Sequence, residues 1–402
     1  MPQTSPEQLL KGVTAAEYDQ RLAKVRAAMS ERSLSALVVT DPANLFYLTG
    51  YNAWSFYMPQ CLVVPVDGQM HLFARAMDAA GARFTAILPD DQVHGYPEEL
   101  VHRRDTHPFD WITASACELG ALSNDPDSTV AIEGDGHFFS ARAYLALTAG
   151  VAPSRVVDSA ELVNWVRVVK SEHEISQLRI AGSIAEHAMQ VALKSIAVGR
   201  RQCDVAAEIM AAQAAGTLEH GGDYAALVPL LPTGEGAGTP HLTWTDQPFV
   251  EGEATTIELA GVFGRYHAPL ARTVMLGEPP SLLVDTASVV REGMQAALET
   301  LVPGSTGDDV HAAFNAVIRR HGLAKESRIG YSIGIGYPPD WGERTISLRA
   351  DETTVLATGM AFHVILGMWM DGWGYELSEP VVVTGAGAER LTDLPQELAI
   401  RR

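Results

Sequence analysis

Apolar residues in the first 160 positions alternate between helical spacing and short continuous runs. Over residues 16–34 they recur every three or four positions, which predicts a helix. A second helical pattern follows over residues 141–148. Three runs rich in β-branched residues are typical of buried strands: 36–40, 61–66 and 130–132. Strands that alternate with helices in this way predict an α/β domain over residues 1–160.

Residues 161–402 follow a different order. Ser171 and Glu174 have the spacing of a capping box, which predicts the start of a long helix that ends near residue 196. Further helices are predicted over residues 204–217, 282–301 and 308–321. Segments with strand-like composition lie at 224–231, 254–263, 265–276, 328–335, 360–368 and 380–384. The pattern predicts an α+β domain built mainly of antiparallel strands over residues 161–402.

Charge and cysteine content narrow the possible partners and compartment. The 29 Lys and Arg against 49 Asp and Glu give a net charge of −20, so neither nucleic acid nor an anionic membrane is an expected partner. The cysteines Cys61, Cys117 and Cys203 are odd in number and widely spaced, which predicts no disulfide framework and no thiolate metal site. The longest apolar stretch is too short to span a membrane, and no signal-peptide pattern is visible. We expect a cytoplasmic protein.

A carboxylate interrupts one of the most apolar predicted strands. The period of two places Thr256, Glu258 and Ala260 on one face of the strand over residues 254–263. A buried carboxylate without a partner is costly, so Glu258 must be paired, neutralised or used in chemistry. The structural alternative is that Glu258 is a core residue whose carboxylate pairs with Arg272 or Arg265.

His241 is the second candidate for chemistry. It follows Pro240 in a Gly-rich loop just before the strand that carries Glu258. Imidazole titrates near neutral pH and is the usual proton shuttle of enzymes, although most histidines in a protein have no such role. We predict Glu258 and His241 as the catalytic residues.

The order of motifs in the second half resembles that of a known family. They are His241 in its Gly/Pro loop, Glu-Leu-Ala-Gly from residue 258 with Ala-Arg-Thr ending at 273, Gly-Tyr-Ser-Ile-Gly at 330–334, Gly-Met-Ala-Phe-His at 359–363 and Ser-Glu-Pro-Val-Val-Val-Thr at 378–384. Together they resemble the creatinase, prolidase and methionine aminopeptidase family of pita-bread proteins. The resemblance implies a creatinase-like N-terminal α/β domain followed by an α+β pita-bread catalytic domain with an antiparallel sheet.

The metal site of that family is not matched. The resemblance implies that its metallopeptidases hold two metal ions with two Asp, one His and two Glu, and these positions fall here on Glu258, Pro269, Tyr331, Ile365 and Ser378. Proline and isoleucine side chains have no donor atom, and a shift of one residue to Glu379 would restore only a second carboxylate. We therefore expect no metal and no cofactor.

Loss of the ligands beside a retained His241 resembles the situation in creatinase, which hydrolyses a C–N bond of a small solute without metal. Creatinase's own His and Glu, however, fall on Tyr331 and Ser378. Segments 48–57 and 331–349 instead resemble ectoine-hydrolysing members of the family. This implies ring opening of ectoine to N-acetyl-diaminobutyrate, with 5-hydroxyectoine as a second candidate substrate. A creatinase-like amidinohydrolase for another guanidino or amidine solute, and a non-catalytic binding module, stay open as alternatives.

The chemistry of ectoine suits these residues. It is a zwitterion with a carboxylate and a cyclic amidinium, whose carbon is already electrophilic. Glu258 is expected either to activate water or to attack that carbon itself, and His241 to protonate the departing ring nitrogen. Arg344, in a predicted Trp-Gly-Glu-Arg turn over residues 341–344, is expected to bind the substrate carboxylate, unless it pairs with Glu343 or Asp340. Three residues in or beside former ligand positions are also assigned to the pocket: Tyr331, His363 and Glu379.

Aromatic residues near the N-terminus suggest how the site is completed. Trp54, Phe56 and Tyr57 form a cluster in a predicted loop. The family resemblance implies a homodimer in which the N-terminal domain of one subunit reaches the active site of the other. Trp54 and Tyr57 are therefore predicted to cover the amidinium by cation–π contact, unless the cluster is simply core.

Overall fold

The structure is a computed structural model that describes residues 12–402. It divides into two compact units, one ending at Arg167 and the other spanning Val168–Arg402. The boundary lies a few residues beyond position 160 because the short helix Leu162–Val166 packs against the first helix of the N-terminal unit. The expectation that no signal peptide opens the chain concerns in part residues 1–11, which lie outside the described residues. Within residues 12–402, no helix has both the length and the apolar character needed to cross a bilayer.

The N-terminal unit is a mixed sheet with helices packed on it. Its strands are β1 (Ala36–Val39), β2 (Cys61–Pro65), β3 (His71–Arg75), β4 (Val93–Tyr96), β5 (Thr129–Ile132) and β6 (Arg155–Asp158). Its helices are α1 (Ala15–Glu31), α2 (Pro42–Thr49), α3 (Ala76–Ala79), α4 (Ala82–Thr85), α5 (Pro108–Glu118), α6 (Ala141–Val151) and α7 (Leu162–Val166). The strand order is β4-β3-β2-β1-β5-β6, with β2 antiparallel to both of its neighbours and the other pairs parallel. The predicted α/β class is confirmed.

The C-terminal unit is built around a larger, mostly antiparallel sheet. Its strands are β7 (Ala254–Phe263), β8 (Tyr266–Leu276), β9 (Gly330–Tyr337), β10 (Asp340–Ser347), β11 (Ala361–Ile365), β12 (Met368–Met370), β13 (Trp373–Tyr375), β14 (Ser378–Thr384), β15 (Gly387–Arg390) and β16 (Ala399–Arg401). Its helices are α8 (Glu172–Ser195), α9 (Gln202–Ala215), α10 (Ser281–Thr300) and α11 (Gly307–Arg320). The order along the sheet is β15-β14-β11-β9-β8-β16, with β7 paired to β8 and β10 to β9.

Two pairs of helices cover this sheet. Helices α8 and α9 pack over β7 and β8, where Ile257 and Leu259 join their apolar cluster. Helices α10 and α11 pack over β11 and β14, and Ile346 of β10 joins the same apolar cluster. The predicted capping box is confirmed at the start of α8, and the hydroxyl of Tyr266 donates to Glu174 Oε1 at 2.8 Å. This bond ties the start of α8 to β8.

Two sequence predictions about strands were wrong. Residues 224–231 form no strand and contribute only a bridge between Leu230 and Glu258. The segment that contains Arg344 was interpreted as a turn, but it forms β10. Its pairing with β9 shifts register twice, and Arg344 itself has a φ of 55°. These irregularities remove the period-two pattern by which a strand is recognised in a sequence.

Candidate active site

Glu258 lies in the middle of β7 and faces away from α8 and α9. Its neighbours Ile257 and Leu259 pack under those helices, so alternation turns Glu258 and Ala260 to the other face, as predicted. The backbone of Glu258 exchanges both of its hydrogen bonds with Leu230, at 3.1 and 2.9 Å. Glu258 and its cross-strand neighbour Ala271 on β8 therefore form a non-hydrogen-bonded pair.

The carboxylate of Glu258 is buried without a partner. The residue is 7% exposed, and within residues 12–402 no hydrogen bond or ion pair reaches its oxygens. Arg272 pairs with Glu379 at 2.7 Å, and Arg265 donates to the carbonyl oxygens of Tyr224 and Gly336 at 2.7 Å each. The interpretation of Glu258 as a core residue tied to either arginine is therefore wrong.

Neighbouring acids disturb the ionisation of Glu258. Burial, and then the charge of Asp340 at the start of β10, raise the pKa of Glu258 to about 7. Glu376, between β13 and β14, is 3% exposed, and its pKa is raised well above 4.5 by burial and by the charge of Glu258. Because buried carboxylates that face each other cannot easily both ionise, the site retains a proton near neutral pH.

Tyr331 and His363, both predicted to line the pocket, are joined in one hydrogen-bond chain. Trp341 Nε1 donates to the Tyr331 hydroxyl at 2.7 Å, and His363 Nδ1 lies 2.9 Å from the same hydroxyl. On its other side, His363 Nε2 lies 2.7 Å from Ser378 Oγ, which also accepts from the backbone N–H of Ala271 at 2.6 Å. The chain thus crosses β9, β11, β14 and β8.

The Tyr331 end of this chain lies beside Glu258. Its ring packs against a cluster that includes Ala260 and Val262, which share the face of β7 with Glu258. Burial and the charge of Glu258 raise the pKa of Tyr331 well above its usual value. Burial, and then the charge of Arg328, lower the pKa of His363 to about 3, so its imidazole is neutral.

His241 is not brought into contact with Glu258. It is exposed in a bend after the short 3₁₀ helix Gly234–Gly238, and its φ is 68°. A positive φ is uncommon for residues other than glycine, so this loop holds His241 in a defined backbone conformation. Its role as the proton donor stays a prediction.

The prediction that Glu379 binds substrate needs correction. It is 0% exposed, and its carboxylate pairs with Arg272 at 2.7 Å and Arg390 at 3.2 Å. It also accepts hydrogen bonds from Thr392 and Gln396 at 2.8 and 2.9 Å. Because its neighbour Ser378 joins the site from the opposite face of β14, Glu379 necessarily points away and stabilises the sheet.

Arg344 is partly buried on β10. Its neighbour Glu343 has another partner. The Glu343 carboxylate forms a buried ion pair with Lys170 at 2.6 Å. The positive φ of Arg344 shows that the strand is locally distorted where this side chain leaves it. Its predicted contact with a substrate carboxylate stays a prediction.

Trp54 and Tyr57 belong to the N-terminal unit and are not part of its core. They are 57% and 65% exposed, whereas Phe56 between them is buried and contacts Phe138. The interpretation of the whole cluster as core is therefore wrong for these two rings. Large exposed aromatic side chains are typical of contact surfaces, and their assignment to substrate stays a prediction.

The residues present do not fit the dinuclear metal site of the resembling metallopeptidases. Pro269 faces Ala260 across the β7–β8 pair, and Ile365 faces Ser378, so two of the five positions have no donor atom. The Ser378 hydroxyl is engaged in the hydrogen-bond chain. Over the described part of the chain, no group of three or more His, Cys, Asp or Glu side chains is arranged to hold a cation. The donor set does not support a resident metal.

Sequence reasoning placed Thr256 beside Glu258 but missed three ionisable residues of this site. The charge of Asp340 raises the pKa of Glu258, the charge of Glu258 raises the pKa of Glu376, and Lys325 opposes that second shift. Burial lowers the pKa of Lys325 to about 8, and its Nζ donates to the Gly367 carbonyl at 2.7 Å. Thr256 shares the face of Glu258, and its hydroxyl is buried without a hydrogen-bond partner. Only Thr256 had a signal in the sequence, through the period of two.

A separate cavity of about 330 Å³ lies at one end of β7. Its walls include Glu253, Met275, Leu283 and Trp373. None of the predicted site residues contributes to it, so it is distinct from the surroundings of Glu258.

Comparisons with known proteins agree with this architecture. The profile of the creatinase/prolidase N-terminal domain matches residues 21–169, and that of metallopeptidase family M24 matches residues 176–385. Ectoine hydrolase from Halomonas elongata is 41% identical over 394 residues, covering 96% of this chain and 98% of that protein.

Solved structures show the same fold. Dipeptidase PepE from Mycobacterium ulcerans superposes with a TM-score of 0.80 at 24% identity, covering 96% of this chain and 99% of that one. A prolidase from Thermococcus sibiricus gives a TM-score of 0.82 at 17% identity, covering 96% and 100%. The creatinase-like N-terminal domain and the pita-bread C-terminal domain are therefore confirmed. The chain belongs to metallopeptidase family M24, with a creatinase/prolidase N-terminal domain before the M24 domain.

Proposed function

We propose that this protein hydrolyses the cyclic amidine ring of ectoine to N-acetyl-diaminobutyrate without a resident metal. The observation that carries the proposal is the buried Glu258 carboxylate, which no cation of the described chain neutralises. An amidinium substrate supplies that missing positive charge. The 41% identity to the ectoine hydrolase of Halomonas elongata supports the choice of substrate.

Ring opening adds one water across an amidine C–N bond. The oxygen ends on the carbon that becomes the amide, and the released nitrogen gains a proton. The amidinium carbon already carries positive charge, so no Lewis acid is required to polarise it. Glu258 either takes the proton from the attacking water or bonds to the carbon first, and water then releases the product.

Other residues have roles in this proposal that follow their chemistry. His241 delivers the proton to the departing ring nitrogen, and the forked Arg344 guanidinium binds the substrate carboxylate. The exposed rings of Trp54 and Tyr57 cover the amidinium face in the partner subunit of a homodimer. Burial and the charge of Asp340 raise the cost of leaving Glu258 ionised in the site and so favour a cationic ligand.

The direct test is product formation by the purified protein. Ectoine, 5-hydroxyectoine, creatine and an Xaa-Pro dipeptide are incubated separately with protein treated with chelator, and products are identified by mass spectrometry. We expect ring-opened product from ectoine at an undiminished rate, and none with Glu258→Gln. Activity that is lost on chelation and returns with Mn²⁺ or Co²⁺ contradicts the metal-free mechanism. Cleavage of creatine or dipeptide alone contradicts the substrate, and ectoine binding without product indicates a binding module.

The two roles of Glu258 can be separated by trapping. Wild-type protein is mixed with ectoine, quenched in acid within one turnover and analysed by intact-protein mass spectrometry. An added mass equal to the substrate, located on the peptide that contains Glu258, indicates nucleophilic attack. Product without any such adduct during the first turnover indicates activation of water.

A further inference from the structure

Glu376 is a second buried carboxylate near Glu258, and the reaction described above gives it no role. It lies between β13 and β14 and is 3% exposed. In the described part of the chain, no hydrogen bond or ion pair reaches its carboxylate oxygens. Lys325 acts on it only through its charge, because the Lys325 Nζ donates to Ser327 Oγ at 2.9 Å and to the Gly367 carbonyl oxygen at 2.7 Å. A buried carboxylate without a partner is costly, so Glu376 requires an explanation.

The backbone of Glu376 is held beside β8 by Thr273. The Glu376 N–H donates to Thr273 Oγ1 at 2.8 Å, and the Thr273 hydroxyl donates to the Glu376 carbonyl oxygen at 3.0 Å. Two residues further along, Ser378 Oγ accepts from the backbone N–H of Ala271 at 2.6 Å. The segment from Glu376 to Ser378 therefore runs antiparallel to β8, with Glu376 next to Thr273 and Ser378 next to Ala271.

The side chain of Glu376 points to the same face of the sheet as that of Ser378. Its neighbours Tyr375 and Leu377 pack in the apolar cluster under α10 and α11, so alternation turns Glu376 to the opposite face. Ser378 joins the hydrogen-bond chain of the site on that face. The charge of Glu258 raises the pKa of Glu376, as expected for two carboxylates on one face of the sheet.

The two carboxylates lie on opposite sides of β8, and the side chains between them are small. Glu258 faces Ala271 across the β7–β8 pair, and Thr256 faces Thr273. Cross-strand partners share a face of the sheet, so these side chains lie on the side of Glu258. The Thr256 hydroxyl is also buried and has no hydrogen-bond partner among the described residues. Three polar groups without partners on one face, Thr256, Glu258 and Glu376, are typical of a binding site and not of a packed core.

A cyclic amidinium requires hydrogen-bond acceptors on two sides. Both of its nitrogens belong to the ring, so their N–H bonds diverge, with the substituted carbon between them. A single carboxylate cannot accept both hydrogens, whereas it can accept the two parallel N–H groups of an arginine side chain. Carboxylates on opposite sides of β8 therefore match a cation of this shape.

We propose that Glu376 is a second substrate-binding carboxylate, which accepts one ring N–H of the amidinium and holds the ring over Ala271 and Thr273, beside Glu258. Glu258 then acts on the amidinium carbon or on water, as in the proposed function on which this assignment rests. Glu376 orients the ring, and the cation compensates both buried carboxylates at once.

Binding of the cation should release a proton from this site. Burial, and then the charge of Glu258, raise the pKa of Glu376, and the charge of Lys325 opposes them. Glu258 itself interacts with the charge of Asp340 and with Tyr331, which is neutral because its own pKa is raised. A bound amidinium favours the charged form of both carboxylates, so the proton that the ligand-free site retains is released. Because burial is the larger cause in Glu376, this release should persist when Glu258 is replaced by glutamine.

Calorimetry on Glu258→Gln tests the assignment without turnover. Ectoine is titrated at pH 7 in two buffers that differ in ionisation enthalpy, so that the heats give both the Kd and the number of protons released. Adding Glu376→Gln should weaken binding by roughly 10-fold or more, as expected for a lost hydrogen bond to a charged group, and should abolish the proton release. Adding Glu219→Gln, at an exposed position, should change neither quantity.

A second substitution separates contact from structure. Glu376→Asp keeps the charge but shortens the side chain, so it should weaken binding while the proton release persists, and it serves as the test if Glu376→Gln does not fold. A Kd within about twofold of that of Glu258→Gln overturns the assignment. Weaker binding of the Glu376→Gln protein with an unchanged proton release also overturns it, because this combination indicates a structural effect.

Steady-state kinetics distinguish failure of this assignment from failure of the proposed function. In the otherwise wild-type protein, Glu376→Gln should raise the KM for ectoine by a factor similar to the loss of affinity. An unchanged KM overturns the assignment while the hydrolysis of ectoine stands. A wild-type protein that neither binds nor hydrolyses ectoine contradicts the proposed function, and this assignment with it.

Discussion

A single buried carboxylate dominates the chemistry at the residue scale. The family resemblance implies that Glu258 falls on a metal-ligand position of the metallopeptidases, and here the described chain places the charges of Asp340 and Glu376 near it. The folded protein therefore bears an electrostatic cost that an amidinium ligand would relieve. This cost should change the folding stability of the ligand-free protein with pH, in a direction that can be measured.

Glu258→Gln should stabilise the protein above neutral pH. The pKa of Glu258 rises from 4.5 to about 7 on folding, so the folded state binds more protons than the unfolded state between these values. Stability from this group is complete below about pH 4.5 and is lost as the pH rises through about 7. The loss amounts to a few kcal/mol, and each kcal/mol shifts the unfolding temperature by about 2–4 °C in a unit of this size.

The measurement is thermal unfolding of both proteins from pH 5 to pH 9. The unfolding temperature of the wild type should fall relative to that of Glu258→Gln as the pH increases. Glu219→Gln, at an exposed position, should follow the wild type throughout. Parallel curves for the wild type and Glu258→Gln would mean that Glu258 ionises normally.

At the scale of secondary-structure elements, one glycine allows β7 to pack closely under α8. A Cβ on Gly261 would lie 2.1 Å from the Ala181 carbonyl oxygen and 2.3 Å from the Ala185 nitrogen. Because both are backbone atoms of α8, the helix and the strand must separate to accommodate a methyl group. Gly261→Ala should therefore destabilise the protein by at least the ~1–3 kcal/mol typical of overpacking.

The same substitution should reduce kcat, because β7 carries Glu258 three residues away. Denaturant unfolding and initial rates measure the two effects. Gly221→Ala is the control, since nothing lies within 4 Å of its added Cβ. A Gly261→Ala protein with wild-type stability would show that α8 and β7 move apart without cost.

A buried ion pair connects the segment before α8 to β10. Lys170 and Glu343 are 2.6 Å apart, and both side chains are 1% exposed. Removing one partner leaves the other charge buried, which typically costs about 3–5 kcal/mol. We expect this loss for Lys170→Met, and substantial recovery when Glu343→Leu is added to it. Urea unfolding of the two single variants and the double variant forms the thermodynamic cycle, and additive losses would argue against coupling.

What the sequence could reveal at this scale depends on regularity. Strand β7 was predicted with its observed bounds because its apolar pattern is regular, and the face of Glu258 followed from the same pattern. Strand β10 was missed because two register shifts and the φ of Arg344 interrupt its alternation. Glu376 was missed for another reason: its charge interacts with that of Glu258 only because β13 folds beside β7. Periodicity assigns a residue to a face of its own strand, whereas contacts between distant strands depend on the whole sheet.

At the scale of the whole molecule, two exposed aromatic side chains lie far along the chain from Glu258. Trp54 and Tyr57 are 57% and 65% exposed on the N-terminal unit. An aromatic face attracts a cation, so we expect these rings to matter to the proposed site. In a homodimer with two-fold symmetry, each subunit can contribute its rings to the other's site.

Mixed dimers test whether the sites are completed across subunits. Glu258→Gln is co-expressed with the double variant Trp54→Ala/Tyr57→Ala, and the unfractionated mixture is assayed at subsaturating ectoine. In a homodimer with shared sites, each mixed dimer has one site with both defects and one intact site, so random mixing should restore about a quarter of the wild-type rate. Glu258→Gln co-expressed with Tyr331→Phe is the control, because both defects lie in the C-terminal unit and every site keeps one of them. A mixture no more active than its separate variants would place Trp54 and Tyr57 outside the partner's site.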